Sequence, residues 1–127
     1  MTEIFVFGSN LAGIHGAGAA RTALDEKNAI FGIGVGLQGN SYAIPTKDWN
    51  VRTLPYDTIK LYVDQFKQYA KMHPEMSFYV TKIGCGYAGY KDHHMAPLFV
   101  GSPDNCTFEN SWSQYLGPDY TYYKFEE

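Results

Sequence analysis

Two clusters of glycine, each following a short apolar run, constrain this chain more than any other feature of its sequence. Eleven of the thirteen glycines fall in these clusters, eight by residue 39 and three between residues 84 and 89. The run Ile4–Phe7 ends at Gly8 and is typical of a strand buried in the middle of a parallel sheet. Glycine adopts backbone conformations that a Cβ forbids and permits close approach of the backbone. The clusters therefore predict loops of defined shape at strand ends.

The rest of the chain alternates between strand and helix patterns. In the clearest element, 56–72, apolar residues recur at the spacing of one helix face, with Pro55 before it and Pro74 after it. The alternation predicts an α/β fold, a sheet with helices on its faces. The other predicted helices cover 17–24, 92–100 and 112–116. The other predicted strands cover 29–39 (weak), 41–44 (stopped by Pro45), 78–83, 106–108 and 120–125 (an edge strand).

Length and composition limit the class of protein. A chain of 127 residues predicts a single domain over residues 1–127 with a core of its own. Hydrophobic residues at 45% and charged residues at 18% exclude a disordered chain. A net charge of −3 argues against duplex nucleic acid and anionic membranes as partners.

The compartment is predicted from what the sequence lacks. The first residues have neither a basic segment nor a long apolar one, and no stretch approaches the roughly 18 apolar residues of a membrane span. Cys85 and Cys106 are the only cysteines and do not make a disulfide framework. We therefore expect a cytoplasmic protein, and the oligomeric state stays open.

The first glycine loop, Gly8–Gly18, follows a predicted strand and runs into a predicted helix. In such a loop backbone N–H groups turn toward an anion, and the helix N-terminus adds a partial positive charge. The loop has neither the Gly-Lys-Ser/Thr of a P-loop nor G-x-G-x-x-G spacing. Two interpretations are open, a phosphate-binding loop and a tight turn that brings helix and sheet close together.

The second glycine loop, Ile83–Tyr90, also follows a predicted strand. Ligands of α/β sheets bind at the carboxyl ends of strands, where both loops fall. Two anion-binding loops on one rim suit a diphosphate, and the rings of Tyr87 and Tyr90 can pack on a ribose or a base.

The histidine and cysteine residues are not spaced in the sequence as the ligands of a metal site are. His93 and His94 are adjacent, so on a helix they point about 100° apart and do not grip one ion together. No group of cysteine and histidine has zinc spacing. The sequence predicts no metal site and no cofactor.

Three motifs resemble those of macrodomains. They are Asn10 followed by a Gly-Ala-Gly loop, the strand from Ser41 that ends at Thr46, and the loop 83–90, which looks like the macrodomain phosphate loop. Over most of its length the chain also resembles a family of small bacterial and phage proteins. The pattern of that family is F-G-S-N-L-A-G-x-H-G-A-G, then Y-A-I-P-T-K-D, then I-G-C-G-x-A-G-Y.

The resemblance implies a macrodomain-like α/β fold in three layers, a mixed sheet with helices on both faces. It implies that the first macrodomain strands and the aspartate that recognises adenine are missing. It implies a small-molecule partner, ADP-ribose or a related phosphorylated nucleoside, bound by the two loops. Asn10 and Tyr90 are expected near the distal ribose, and the backbone amides of 84–89 on the phosphates. The predicted ligand-binding residues are Asn10, Gly16, Ala17, Gly18, Thr46, Gly84, Cys85, Gly86, Tyr87, Ala88, Gly89 and Tyr90.

Some macrodomain relatives remove ADP-ribose from proteins or nucleic acid, and three residues are candidates for such hydrolysis. Lys47 can form a Schiff base at the anomeric carbon with Asp48 as acid and base, or the two are a solvated pair in a polar turn. His15 can serve as general acid or base, or as a hydrogen-bonding loop residue. Cys85 lies at a predicted helix start, which lowers a thiol pKa, and a small buried residue is the alternative.

Two further functions remain open at this point. One is a non-catalytic module that sequesters a nucleotide signal, for instance in conflict between phage and host. The other is an interaction protein that uses the fold with an empty cleft. Ligand binding and turnover separate the three hypotheses.

Overall fold

A six-stranded mixed sheet forms the centre of the computed structural model, which describes residues 2–124. The strands are β1 (Thr2–Asn10), β2 (Gly36–Gln38), β3 (Ser41–Lys47), β4 (Met76–Val80), β5 (Cys106–Glu109) and β6 (Thr121–Tyr123). Their order across the sheet is β2-β3-β1-β4-β5-β6. Only β2 is antiparallel to its neighbour, and every other pair is parallel. The carboxyl ends of β1, β3 and β4 therefore meet at one edge of the sheet.

Four helices join the strands: α1 (Gly18–Glu26), α2 (Tyr56–Met72), α3 (Asp92–Met95) and α4 (Ser113–Leu116). The prediction for 56–72 is confirmed at both ends. The residues of its apolar stripe, Ile59, Val63, Phe66 and Ala70, are fully buried. Burial of a large aliphatic or aromatic side chain contributes about 1.5–3 kcal/mol, so this stripe fixes α2 on the sheet.

The helices lie on both faces of the sheet, which confirms the predicted three-layer α/β fold. Along β1, Val6 points into the larger core, which includes residues of α2, α3 and α4. The next residue, Phe7, points the other way and packs in a smaller cluster with Ala20 and Ala23 of α1. Because successive side chains of a strand point to opposite faces of the sheet, β1 contributes to both cores. The small side chains of Ala20 and Ala23 let α1 lie close to the sheet.

Several predicted boundaries are wrong, each for a local reason. The strand predicted to stop at Pro45 continues to Lys47. β2 pairs with β3 only as far as Ala43, so Pro45 lies beyond that pairing and its missing N–H costs no bond to β2. β1 continues past Gly8 to Asn10 because Ser9 pairs with Pro45.

The other boundaries differ by a few residues. Of the weak strand predicted over 29–39, only Gly36–Gln38 pairs. The strand predicted over 78–83 runs from Met76 to Val80. The helix predicted over 92–100 is α3 followed by a 3-10 turn, Ala96–Phe99, that carries a proline at its start. A second 3-10 turn, Asn110–Trp112, leads into α4. The predicted edge strand 120–125 is confirmed as β6, and Phe125 lies outside the described residues.

Within residues 2–124, no helix has the length and apolar character that a membrane span requires.

Candidate functional site

Both glycine loops face one cleft of about 920 Å³ at the carboxyl ends of β1, β3 and β4. One wall is the first loop with the start of α1, and the opposite wall is the second loop. Three strand ends form the floor. The lining residues are Gly8, Ser9, Asn10, Ile14, Gly16, Ala17, Gly18, Ala19, Ala20, Thr22, Glu26, Thr46, Lys47, Val51, Thr81, Lys82, Gly84, Cys85, Gly86, Tyr87, Ala88 and Glu109.

The side chain of Asn10 holds the first loop in shape. Its Nδ2 donates to the carbonyl of Ile14 at 2.9 Å, and its Oδ1 accepts from the N–H of Ile14 at 2.9 Å. Asn10 is 6% exposed and lies at the floor of the cleft. The predicted place of Asn10 beside the ligand thus coincides with a structural role, because both polar atoms of its amide bind the loop.

A second contact fixes the outer side of the first loop. Gly13 has a φ of +71°, and a Cβ there would lie 2.2 Å from the backbone of Gly32. The N–H of Gly32 donates to the carbonyl of Gly13 at 2.8 Å. The segment before β2 therefore packs backbone to backbone on the first loop, which only glycine permits.

The first turn of α1 presents free N–H groups to the cleft. No side chain caps this helix, and the bond from Arg21 to the carbonyl of Ala17 is the first that involves its residues. The N–H groups of Gly18, Ala19 and Ala20 consequently have no acceptor within residues 2–124. Together with the partial positive charge of the helix N-terminus, they make this wall attractive to an anion.

The second loop also presents consecutive free backbone N–H groups to the cleft. It is closed by bonds from Cys85 to Lys82, from Gly89 to Gly86 and from Tyr90 to Gly84, all through the backbone. In the described part of the chain, the N–H groups of Gly86, Tyr87 and Ala88 have no acceptor. Successive free N–H groups in a loop form a concave binding surface for anions.

Tyr87 connects the two walls. Its side chain is 74% exposed, and a Cβ at Gly18 would lie 3.3 Å from its ring. On the other side, Nζ of Lys47 lies 5.6 Å from the centre of the same ring. Tyr87 therefore lies across the mouth of the cleft, between the start of α1 and the end of β3.

The predicted Lys47–Asp48 pair is separated by the structure. Lys47 is the last residue of β3 and lines the cleft. Asp48 does not line it. Its Oδ1 accepts from the N–H groups of Asn50 and Arg52, both at 2.9 Å, and so holds the turn after β3. Thr46 does line the cleft, and its hydroxyl donates to the carbonyl of Ser9 at 3.2 Å.

His15 lies beneath the first loop, outside the cleft lining. It is fully buried, and its ring packs edge-on against Phe7 at 5.2 Å between centroids. Its Nε2 lies 3.0 Å from the carbonyl oxygens of both Ile30 and Ile33, so this nitrogen is the donor. The contacts of His15 are those of the hydrogen-bonding loop residue, one of the two interpretations of this position.

Cys85 lines the cleft, but its surroundings disfavour the thiolate form. Burial, together with the hydrogen bond and the charge of the neighbouring Asp92 carboxylate, raises the pKa of its thiol to about 12. Only the charge of Lys82 acts in the opposite direction. Since the thiolate is the nucleophilic form, this environment is that of a small packing residue.

Two of the predicted ligand residues lie outside the cleft lining, Gly89 and Tyr90. The hydroxyl of Tyr90 donates to the carbonyl of Leu54 at 2.8 Å, and its ring packs on Tyr56. Tyr90 therefore anchors the second loop to the segment before α2.

Sequence reasoning missed several cleft residues with polar side chains. Lys82 lies two residues after β4 and Glu109 is the last residue of β5, and a place at the carboxyl end of a strand is the signal that could have found both. Glu26 lies at the end of α1 and has no comparable signal. Among residues 2–124, no three metal-ligating side chains come together.

Comparison with known proteins gives a fold and no function. No family model matches the chain, and no curated protein matches it. Among solved structures, it is similar to a protein of unknown function from Bacteroides thetaiotaomicron, with a TM-score of 0.59 and 16% sequence identity. The likeness covers 97% of this chain and 87% of that chain. At that identity it shows a shared fold over nearly the whole length.

Proposed function

We propose that this protein binds ADP-ribose or a related phosphorylated nucleoside, with the diphosphate between the two glycine loops. One observation carries the proposal. Two runs of three backbone N–H groups without acceptors in residues 2–124, at 18–20 and 86–88, line the same cleft from opposite walls. A diphosphate offers acceptors on both of its phosphorus centres, and backbone N–H groups can bind them without any basic side chain.

The size of the cleft and its backbone N–H groups support this ligand class. Lys47 and Lys82 bring two positive charges to the lining, and Glu26 and Glu109 bring two negative charges. The free N–H groups at 18–20 and 86–88 therefore carry the attraction for an anion, and a net charge of −3 for the whole chain does not oppose it. The volume of about 920 Å³ lies in the range of small-molecule sites.

Macrodomain-like descent is part of the proposal and rests on the sequence motifs. The motif residues Asn10, Thr46 and Gly84 all line the cleft. Their convergence supports, by position, a ligand site of the macrodomain kind. The cytoplasmic location and the absence of a metal or cofactor stay predictions.

We favour binding over hydrolysis of an ADP-ribosyl bond. Of the three candidate catalytic residues, only Lys47 lines the cleft, whereas Asp48 serves the turn after β3 and His15 lies under the first loop. A Schiff base at Lys47 would need an acid and base in reach, and Asp48 is committed elsewhere. Sequestration of a nucleotide without turnover is the version of the function that this geometry favours.

Calorimetry with four ligands tests the proposal: ADP-ribose, ADP, ribose 5-phosphate and adenosine. We expect ADP-ribose and ADP to bind and adenosine, which has no phosphate, to bind at least tenfold more weakly. Gly86→Val is the matching variant. A Cβ at Gly86 meets no atom of the described residues within 4 Å, so there is room for the first atom of the new side chain. We expect the valine to crowd the cleft wall and weaken binding of ADP-ribose, and a thermal melt checks that the fold is kept. No binding of any phosphorylated ligand up to millimolar concentration would disprove the proposal.

A further inference from the structure

An uncharged stretch of chain forms one edge of the sheet. From Asn28 to Thr46 the sequence contains no Asp, Glu, Lys or Arg. This stretch includes β2, which pairs with β3 on one side and is the last strand of the sheet on the other. Edge strands of soluble proteins are commonly protected by charged side chains, above all lysine. The edge at β2 lacks that protection.

Apolar residues of this stretch alternate with glycines and are exposed to solvent. Gly34 faces inward, where a Cβ would lie 1.9 Å from the carbonyl oxygen of Asn10. Its neighbours Ile33 and Val35 are 41% and 40% exposed, so their side chains reach solvent while the backbone at Gly34 packs on the first loop. Five apolar residues of the stretch are between 40% and 62% exposed. We call them the β2 apolar edge: Ile30, Phe31, Ile33, Val35 and Leu37.

The backbone at this edge can accept another strand. Gly39, with a φ of +57°, and Asn40 form a two-residue turn between Gln38 and Ser41, which face each other. In an antiparallel pair, alternate residues direct their N–H and C=O groups away from the partner strand. By that alternation Leu37 is the residue of β2 whose backbone groups point outward.

The exposed area is large enough to contribute most of a protein interface. At 40–62% exposure the five residues present roughly 450 Å² together, which lies within the range of about 300–600 Å² for the largest apolar patch on a typical monomer. A stable interface buries about 800 Å² on each partner. The backbone of β2 and the exposed polar residue Asn40 at its rim supply the remaining surface.

We propose that the β2 apolar edge binds a second copy of this chain, with the two β2 strands antiparallel across a two-fold axis. A second copy meets each requirement of this surface: it brings an uncharged apolar edge and an unpaired strand of the same length. Under a two-fold axis the pattern of donors and acceptors is complementary to itself. Leu37 of one protomer lies opposite Leu37 of its partner, and the sheet continues through both.

The interface would be linked to the cleft through the first glycine loop. Ile30 and Ile33 of the edge carry the carbonyl oxygens that His15 binds, and His15 belongs to the first glycine loop. Dimer formation therefore stiffens the segment on which that loop rests. The dimer itself needs no ligand, so this inference stands apart from the proposed function.

Sedimentation equilibrium of the full chain, from micromolar to millimolar concentration, tests the dimer. We expect the apparent mass to rise from 14.3 kDa to twice that value. Leu37→Lys places a charge on the two-fold axis and is expected to weaken association at least tenfold. Leu61→Lys is the matched control, because Leu61 is 64% exposed on α2, away from the edge. Thermal melts of both variants check that the fold is intact.

A cross-link tests the register. With Leu37→Cys we expect a disulfide between two copies under mild oxidation, and with Leu61→Cys we expect none. A wild-type protein that stays at 14.3 kDa at millimolar concentration overturns the proposal and leaves this edge to another partner. Association that Leu37→Lys does not weaken overturns it as well, since the contact then lies elsewhere.

Discussion

The ammonium nitrogen of Lys47 lies 5.6 Å from the centre of the Tyr87 ring, and this contact spans the mouth of the cleft. Such a cation–π contact at an exposed site contributes about 0.5–1 kcal/mol. The main effect of the contact is to fix the position of the Lys47 ammonium group. It holds one positive charge of the cleft beside the free N–H groups of the second loop, where a phosphate would bind.

Lys47→Gln therefore tests the charge at this place. If the proposed ligand is correct, we expect the affinity for ADP-ribose to fall about tenfold, since a charge-assisted hydrogen bond is lost. The melting temperature should fall by no more than about 4 °C, because Lys47 is partly exposed, has no ion pair in residues 2–124 and gives up only its contact with Tyr87. Calorimetry measures the affinity, and differential scanning calorimetry the stability.

Lys91→Gln is the control, since Lys91 is exposed and does not line the cleft. It removes the same charge from the protein as a whole. Equal loss of affinity in both variants would mean that only the net charge matters, which contradicts a local role for Lys47.

Gly34, in the segment before β2, differs from Gly86 in the space around it. Gly34→Ala would bring a Cβ to 1.9 Å from the carbonyl oxygen of Asn10, a backbone atom that cannot move aside alone. We expect the free energy of unfolding to fall by at least about 2 kcal/mol, in line with other overpacked sites. Gly86→Ala, with no atom within 4 Å of the new Cβ, should change it by less than about 0.5 kcal/mol.

Urea denaturation at neutral pH measures both variants. Neither glycine has a positive φ, so the comparison isolates the effect of space from that of backbone conformation. Similar stabilities for the two variants would show that the segment 28–36 does not pack on the first loop as described.

His15 gives a prediction about a single proton. Both groups within 3.0 Å of Nε2 are carbonyl oxygens, so the ring should be the tautomer protonated at Nε2. Nitrogen chemical shifts in an NMR spectrum near pH 8 distinguish the two tautomers. His15→Phe keeps a ring against Phe7 but removes the Nε2 donor from the carbonyls of Ile30 and Ile33, which keep their bonds from the N–H of Ile33 and from Gln38. The loss should cost about 0.5–1.5 kcal/mol. A ring protonated at Nδ1 instead would contradict the described contacts.

Local sequence pattern was sufficient where neighbours along the chain determine the structure. The spacing of Ile59, Val63 and Phe66 predicts α2 because a helix brings those residues to one side. The two glycine loops could be placed on one rim because parallel strands end at the same edge. That reasoning needed only the order of strands and helices, and the structure places both loops on one cleft.

Contacts between distant segments were beyond such reasoning. His15 is buried by Ile30 and Ile33, and no periodicity in the sequence pairs these residues. Tyr90 belongs to a glycine loop but binds Leu54, which lies 36 positions away. The carboxylate of Asp48 binds its own turn, and whether such a side chain turns inward or outward depends on the path of the backbone.

The two cysteines predict how stability changes in alkali. Burial raises the pKa of Cys106 from its ordinary value near 9 to about 12. Between these pH values the folded protein holds a proton that the unfolded chain releases, so stability is complete below pH 9 and falls as pH rises toward 12. Cys85 acts in the same direction. One such group lowers the free energy of unfolding by at most about 1.4 kcal/mol per pH unit.

Urea denaturation of wild type and Cys106→Val, from pH 8 to pH 11, measures this effect. Valine keeps the apolar contacts of this 2% exposed residue and removes the thiol proton. We expect the variant to lose stability less steeply above pH 9 than wild type. The free energy of unfolding of the variant should still fall somewhat with pH, because burial also raises the pKa of Tyr42 to about 12. Identical slopes in both proteins would show that the Cys106 thiol ionises as easily in the folded protein as in the unfolded chain.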